Sequence, residues 1–284
     1  MTLKASRTIL YTILLLTTTK VFSKTNIPYG DNKEIGKYIN INGIKTYYEV
    51  YGTGTPLLLI HGNGSGIKGW AAQIEYFSKK YKVYAVDGRG RGKSDLGKDT
   101  LSYIQLANDM ATFISLMNLD SVYVLGKSDG GIIGILLGIY YPQHISKIVA
   151  FGANMWPDST ALYTACVDGI KIDRRNADRM LAAKDTTKNW YLVQQCNRMM
   201  EFQPHITAED LHKIKVPVLV MSCDRDLIRE EHTFFIYKNI PLADLSIFPG
   251  ETHFVTRQNP ELFNTTVDGF LSRPFKDSAS RYKQ

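Results

Sequence analysis

Residues 122–131 read Val-Tyr-Val-Leu-Gly-Lys-Ser-Asp-Gly-Gly, and this stretch decides the fold. An apolar, β-prone run breaks at residues 126–130 (Gly-Lys-Ser-Asp-Gly), and a second apolar stretch follows at 132–141. The pattern predicts a strand that turns sharply into a helix, with glycines leaving room for the turn and a strained serine above a sheet. Ser128 is therefore the candidate nucleophile. The helix beginning at Asp129 would point its free N–H groups at a developing oxyanion.

The base and the acid that such a serine needs follow later in the chain. A serine hydroxyl is a poor nucleophile at neutral pH, so it requires a base with a pKa near 7 and a carboxylate that orients this base. His253 and Asp226 are the candidates, because each follows a strand-like run, at 243–248 and 216–221 respectively. Asp224 is the alternative acid. The sharp turn at 126–130 is typical of a nucleophile elbow, and with such an elbow the chain order is serine, then acid, then histidine.

The other five histidines have simpler explanations than catalysis. His61 stands in the turn after a strand-like run. The remaining four lie beside polar helical or loop residues, and we expect them to face solvent: His144, His205, His212 and His232.

Three segments resemble the α/β-hydrolase family, and the likeness covers about residues 38–272. His-Gly-Asn-Gly at 61–64 is similar to the family's oxyanion turn, and Asp-Gly-Arg-Gly-Arg-Gly-Lys-Ser at 87–94 to its D-x-R-G-x-G-x-S segment. The third segment is the elbow at 126–130. The resemblance implies an α/β structure of the α/β-hydrolase fold, with a mostly parallel sheet, helices on both faces and a helical cap.

The same resemblance implies roles for particular residues. The backbone N–H groups of Asn63 and Asp129 would hold the oxyanion. Asp226 is favoured as the acid because it stands just before residues 227–228 (Leu-Ile), a spacing usual for the acid in this family. The implied reaction is acyl transfer, in which Ser128 attacks an acyl carbonyl and water then cleaves the acyl-enzyme.

A closer resemblance is to the biphenyl hydrolase-like (valacyclovir hydrolase) group. It is carried by Gly-Lys-Ser-Asp-Gly-Gly at 126–131, Tyr-Pro at 141–142 and Gly-Ala-Asn at 152–154, although that group has Trp where this chain has Lys127. The group uses the Asp of its elbow toward the amine of α-amino-acid esters. The resemblance therefore implies that Asp129 also binds substrate, and we expect a preference for small esters whose acyl group carries a free amine.

Strand-like and helix-like segments alternate along the chain and predict β/α units. The predicted strands are 38–42, 45–51, 56–60, 81–87, 121–125, 145–151, 216–222 and 245–248. The predicted helices are 99–117, 129–141, 229–239 and 260–273. In addition, Thr-Ala-Glu-Asp at 207–210 predicts a capping box that opens a short helix.

The alternation stops in residues 155–205, which is too long for a simple connection and too helical for a disordered one. We predict that this segment is a helical cap between two parts of the hydrolase core, at 24–154 and 206–284. Trp156 and Trp190 are its candidate substrate-binding residues. Alternatively, most of the aromatic and methionine side chains of this segment form the cap's own small core.

The first 23 residues predict a signal peptide. Basic residues precede an apolar run at 9–16, and Val-Phe-Ser at 21–23 offers small residues to a signal peptidase. We therefore expect a secreted or periplasmic protein that begins near Lys24 and has no stable membrane span after processing. An uncleaved anchor is the alternative.

The charge and the cysteines add weaker indications. A formal net charge of +7 does not predict nucleic-acid binding, because the basic residues are interleaved with acidic ones and no nucleic-acid motif accompanies them. Export permits a disulfide between Cys166 and Cys196. Cys223, at the end of a predicted strand, is expected to be an inert core thiol.

Cofactor motifs are weak in this chain. Gly-Ser-Gly-Ile-Lys-Gly at 64–69 fits a dinucleotide fingerprint, but Gly62 closes the preceding strand, so the register is wrong. The Gly-Lys-Ser tripeptides that end at Ser94 and Ser128 lack the leading glycine of a phosphate-binding loop. No clustered Cys and His predict a metal, and we expect no cofactor.

These observations predict a serine hydrolase that acts on a small molecule, most simply a carboxylic ester. Hydrolysis of a C–C bond or a lactone by the same residues is one alternative, and a non-catalytic binding protein of this fold is another. The set Ser128, Asp226 and His253 favours an enzyme, because a binding protein needs none of the three.

Overall fold

The computed structural model describes residues 27–276. The predicted signal peptide at 1–23 lies outside the described residues. Within the described part of the chain, no helix is both long enough and apolar enough to cross a bilayer.

Eight strands form one sheet, and most of it is parallel. In chain order the strands are β1 (Lys37–Ile41), β2 (Ile44–Tyr51), β3 (Pro56–Ile60), β4 (Lys82–Val86), β5 (Val122–Lys127), β6 (Ile145–Phe151), β7 (Val218–Arg225) and β8 (Ala243–Thr252). Their order across the sheet is β1-β2-β4-β3-β5-β6-β7-β8. β2 pairs antiparallel with β1 and β4, and all other pairs are parallel. The loops after β3, β5, β7 and β8 therefore meet at one edge, where ligands bind in open α/β sheets.

Helices cover both faces of the sheet. They are α1 (Ala71–Phe77), α2 (Tyr103–Leu116), α3 (Asp129–Tyr140), α4 (Thr164–Ala182), α5 (Trp190–Phe202), α6 (Ala208–Leu211), α7 (Glu230–Asn239), α8 (Val255–Gln258) and α9 (Pro260–Leu271). One core cluster joins side chains of α2, α3 and α7 to one face, for example Phe113 and Ile135. A second joins those of α1 and α9 to the other, for example Phe77 and Phe263. The central strand β3 is buried at four of its five positions, as expected for a strand covered on both sides.

The segment predicted as the cap contains α4 and α5. The two helices pack against each other. Cys196 and Met199 of α5 belong to the core cluster shared with α2 and α3, whereas Val167 and Ala177 are the buried residues of α4. α5 therefore connects this segment to the body of the protein.

The capping box is confirmed, and most predicted element boundaries differ from those of the structure by a few residues. The side chain of Thr207 and the carboxylate of Asp210 form the predicted capping box. The second helix was expected from residue 99 but begins at Tyr103, because Ser102 is its N-cap and accepts a hydrogen bond from the backbone N–H of Gln105.

The prediction that His232 faces solvent is wrong. Its side chain is 2% exposed, since its Nε2 accepts a 2.9 Å hydrogen bond from the backbone N–H of Met155. Burial lowers the pKa of His232 to about 4, so the ring is neutral. The other three histidines expected at the surface are exposed: His144, His205 and His212.

All three cysteines are free thiols in the structure. Cys166 is partly buried, whereas Cys196 is buried, and no disulfide joins them. Cys223 is buried as expected, and burial raises the pKa of its thiol to about 12, which keeps it protonated.

Candidate active site

Ser128 lies at the sharp turn between β5 and α3. Its φ of 56° and ψ of −122° are unfavourable for a residue with a side chain, and the tightly packed turn holds it there. A Cβ on Gly126 would lie 2.0 Å from the carbonyl oxygen of Gly130, and one on Gly130 would lie 1.9 Å from that of Ile60. The turn thus requires glycine two residues before and two residues after the serine.

Asp226 and His253 form a buried pair at the ends of β7 and β8. The His253 Nδ1 lies 2.6 Å from the Asp226 Oδ1. The same carboxylate accepts a 2.6 Å hydrogen bond from the backbone N–H of Leu227 and a 3.2 Å hydrogen bond from the hydroxyl of Ser222. Burial acts to raise the pKa of Asp226, but the hydrogen bonds from His253 and the backbone hold it below its usual range. With Nδ1 donating to this carboxylate, Nε2 is left to accept a proton.

The structure brings Asp226, and not Asp224, to the histidine. Asp224 instead accepts a 2.7 Å hydrogen bond from the backbone N–H of Gly250. Two aromatic rings fix the imidazole: Phe151 stacks on it with ring centroids 5.8 Å apart, and Phe254 meets it edge-on at 6.0 Å.

Ser128 and His253 line one cavity of about 300 Å³, which we call the outer cavity. Its wall also includes Asn63, Phe254 and two cationic residues, which are Lys127 and Arg257.

The turn at 61–64 passes directly beside Ser128. A Cβ on Gly62 would lie 2.9 Å from the Cβ of Ser128. In residues 27–276, the backbone N–H groups of Asn63 and Asp129 have no hydrogen-bond acceptor. Both are therefore available to a developing oxyanion, and Asp129 adds the positive end of the α3 dipole.

The segment at 87–94 holds this turn in place. His61 donates from Nδ1 to the carbonyl oxygen of Gly62 and accepts the backbone N–H of Gly88 at Nε2, both at 2.9 Å. Burial lowers the pKa of His61 to about 4, so it serves as a neutral link. Arg91 donates a 2.9 Å hydrogen bond from Nη2 to the side-chain oxygen of Asn63.

The Asp129 carboxyl faces a different space from Ser128. It lines a small cavity of about 20 Å³, the inner cavity, which has room for one water molecule and is also lined by His61 and Arg91. Its Oδ1 accepts a 2.9 Å hydrogen bond from the hydroxyl of Tyr103, and its Oδ2 has no partner among the described residues. Burial raises the pKa of Asp129, while the positive charge of Arg91 acts in the opposite direction.

Neither predicted cap tryptophan lines the outer cavity. Trp156 packs edge-on against His232 and Phe235, with ring centroids 4.4 and 4.7 Å away. Trp190 is buried, and its indole N–H donates a 2.6 Å hydrogen bond to Asp185. Trp190 therefore bonds within the predicted cap segment, whereas Trp156 packs against α7 outside it.

Lys127 and Arg257 are the cavity residues that sequence reasoning underrated. The Lys127 Nζ donates a 2.9 Å hydrogen bond to the hydroxyl of Thr256. Burial and the nearby charge of Arg257 lower the pKa of Lys127 to about 8. Arg257 was not singled out, and the available signal was its position on the short helix α8, which begins two residues after His253. Among the residues that the structure describes, no group of three or more His, Cys, Asp or Glu could hold a metal ion.

Comparisons with known proteins agree with this arrangement. A model of the alpha/beta hydrolase fold family matches residues 55–188. The human serine hydrolase BPHL is 26% identical, with 82% of this chain and 85% of that protein covered. The 2-hydroxy-6-oxo-6-(2'-aminophenyl)hexa-2,4-dienoic acid hydrolase of Metapseudomonas resinovorans is 27% identical, covering 84% and 91%.

The fold is also found among solved structures. An esterase from Exiguobacterium antarcticum superposes with a TM-score of 0.74 at 21% identity, over 84% of this chain and 100% of that one. Together the comparisons support a hydrolase on this fold. The chain therefore has the α/β-hydrolase fold.

Proposed function

We propose that the protein is a serine hydrolase that cleaves a small carboxylic ester through an acyl-enzyme. The observation that carries the proposal is the 2.6 Å Asp226–His253 pair beside a strained Ser128 in one cavity. This arrangement places a base with a fixed tautomer and a hydroxyl held by a strained turn in the wall of the same cavity.

The chemistry then follows two half-reactions. The Ser128 oxygen attacks the ester carbonyl while His253 Nε2 takes its proton, and the N–H groups of Asn63 and Asp129 bind the oxyanion. His253 returns the proton to the departing alcohol. Water next attacks the acyl-serine with His253 as the base, which releases the carboxylic acid and restores Ser128.

An α-amino-acyl ester is the finer expectation that Asp129 suggested, and its surroundings count against it. The carboxyl lies on the inner cavity rather than the outer one. It is also bonded to Tyr103 and close to the positive charge of Arg91. A substrate ammonium would have to compete with both, so the proposal does not include an amine requirement.

The test combines active-site labelling with turnover. A fluorophosphonate should label the wild-type protein and not Ser128→Ala. Hydrolysis of 4-nitrophenyl butyrate should fall by several orders of magnitude in Ser128→Ala and His253→Ala, because these residues act as a unit. Circular dichroism should show that both variants fold. Undiminished labelling or turnover in folded Ser128→Ala would rule the proposal out.

The same assay should include other bond types. One relative is named as the hydrolase of a hexa-2,4-dienoic acid, so a lactone, an amide and a C–C substrate belong beside the ester. Faster Ser128-dependent turnover of any of these would leave Ser128 as the proposed nucleophile and would replace the ester as the proposed substrate.

We further propose that the protein is exported after removal of residues 1–23. The support is the basic start, the apolar run and the small residues at 21–23. Mass spectrometry of exported protein should find a mature chain beginning near Lys24. A chain that retains Met1 to Ser23 would contradict cleavage.

A further inference from the structure

We infer that the substrate carries a carboxylate in addition to the scissile ester, and that Lys127 and Arg257 bind this carboxylate in the outer cavity. The inference rests on the proposed function, because it names the substrate class for the same site.

The charge of the outer cavity carries the argument. Lys127 and Arg257 line it, and its lining includes no Asp or Glu side chain. Within residues 27–276, neither cation is within ion-pair distance of a carboxylate. Two unpaired positive charges therefore share the space into which Ser128 opens.

The two cations converge on one aromatic ring. The Lys127 Nζ and the Arg257 guanidinium carbon each lie 5.5 Å from the centroid of Phe254. Of the three donors on Lys127 Nζ, one is bonded to Thr256, so two remain for a ligand. Arg257 is exposed and presents a planar fork of donors that suits a carboxylate.

The proximity of these charges is unfavourable without an anion. Lys127 is half-buried, and burial together with the Arg257 charge disfavours its protonated form. A carboxylate between them would turn this repulsion into two attractions. The partial burial of Lys127 would strengthen the attraction at that residue.

Asp226 favours the charged form of Lys127 from behind the imidazole, but neither Asp226 nor Asp129 lines the outer cavity. The carboxylate oxygens of Asp226 are occupied by His253, Ser222 and the backbone behind the imidazole. Asp129 lines the inner cavity instead. A cationic substrate would therefore meet two like charges in the outer cavity, and an anionic substrate would meet two opposite ones.

The first experiment measures binding without turnover. Monomethyl adipate and methyl adipamate differ only in a carboxylate and its neutral amide. Calorimetry with Ser128→Ala should show at least about tenfold tighter binding of the carboxylate, which is the range of a charge-assisted hydrogen bond. Equal affinities for the two compounds, or no detectable binding of either, would overturn the inference.

The second experiment measures turnover. The 4-nitrophenyl esters of adipic acid, adipamic acid and 6-aminohexanoic acid present an anion, a neutral group and a cation on comparable chains. We expect kcat/KM to fall in that order, after subtraction of spontaneous hydrolysis, with at least about tenfold between the first two. The 4-hydroxybenzoate and 4-hydroxybenzamide esters of butyric acid test a carboxylate on the leaving group.

Matched variants identify the residues responsible. Lys127→Met and Arg257→Gln should each reduce the ratio of kcat/KM for the carboxylate to that for the amide, and the double variant should bring the ratio close to one. Lys127→Arg keeps the charge and should restore the preference. Lys238→Met is the control. Lys238 is exposed in the last turn of α7, near the start of β8, whereas His253 follows the end of β8. The control therefore removes a positive charge at the opposite end of that strand.

The outcomes separate the two proposals. Ser128-dependent hydrolysis without a carboxylate preference would remove the inference and leave the proposed function. A carboxylate preference in binding to Ser128→Ala, with no hydrolysis of any ester by the wild type, would remove the proposed function and leave the binding site. A preference that survives in the double variant would assign the carboxylate to other residues and overturn the inference.

Discussion

The two residues beside Ser128 serve different regions of the molecule. Lys127 is half-buried and lines the outer cavity together with Arg257. Asp129 is buried, bonded to Tyr103, and lines the inner cavity together with Arg91. His61 and Gly62 line both cavities, so the turn at 61–64 lies between them.

The difference teaches that charge next to a nucleophile in sequence need not be next to it in the site. At the strained turn, β5 ends at Lys127 and α3 begins at Asp129, so these two side chains point in different directions. The residue before the serine therefore adds its charge to the outer cavity, beside that of Arg257. The residue after it contributes its backbone N–H there and its side chain elsewhere.

The largest expected effect concerns Asp226, which would support catalysis in the outer cavity through His253. Asp226→Asn should lower kcat roughly 10³- to 10⁴-fold, because the imidazole loses the carboxylate that fixes its tautomer and stabilises its charged form. Asp224→Asn is the matched control and should retain most of the turnover, since Asp224 contacts the exposed Gly250. Turnover of 4-nitrophenyl butyrate measures both. Equal losses of kcat in the two variants would mean that Asp226 does not act as the acid that orients His253.

We also expect Asp129 to stabilise the fold through its hydrogen bond with Tyr103. Asp129→Ala should destabilise the fold by about 1–3 kcal/mol, because it leaves the buried hydroxyl of Tyr103 without its acceptor. Asp129→Asn should cost less, since an amide oxygen can still accept that hydrogen bond. Urea unfolding at pH 7 measures both free energies.

The same variant tests amine binding. An amino-acid ester and its N-acetyl analogue should lose activity by the same factor in Asp129→Ala. A wild-type preference for the free amine that disappears in Asp129→Ala would show that Asp129 binds the substrate amine. Its carboxylate would then serve the same space as Lys127.

The parts of the site that sequence predicted are those governed by local rules. The turn at Ser128 needs glycines at set positions, and the order of strand ends brings Asp226 and His253 to the same edge. The capping box at Thr207 follows from four consecutive residues. Each of these depends on neighbours in sequence or on the topology of the sheet.

Side-chain direction depends on tertiary packing, and there the sequence was a poorer guide. His232 has polar neighbours in the chain, yet it accepts the backbone N–H of Met155 from a distant loop. Trp156 packs against that same histidine rather than the outer cavity. Arg91 bonds to Asn63 across 28 residues. No periodicity or motif within one segment encodes such contacts.

The charge of Lys127 should change within the pH range of the assay. Lys127 has a pKa of about 8, lowered mainly by burial and by Arg257, while Asp226 and Cys223 act to raise it and Thr256 accepts its hydrogen bond. The charged amine is thus present below pH 8 and lost above it, whereas a substrate carboxylate stays ionised throughout.

The carboxylate-to-amide ratio of kcat/KM should therefore fall between pH 7 and 9, by about threefold to tenfold, because kcat/KM reports the ionisation of the free enzyme. The ratio, rather than either rate alone, is the measurement, since titration of the catalytic machinery affects both substrates alike. In Lys127→Arg the ratio should stay level over this range, because arginine does not titrate there. A fall of the same size in Lys127→Arg would mean that another group senses pH, and a flat ratio in the wild type would mean that Arg257 alone reads the substrate charge.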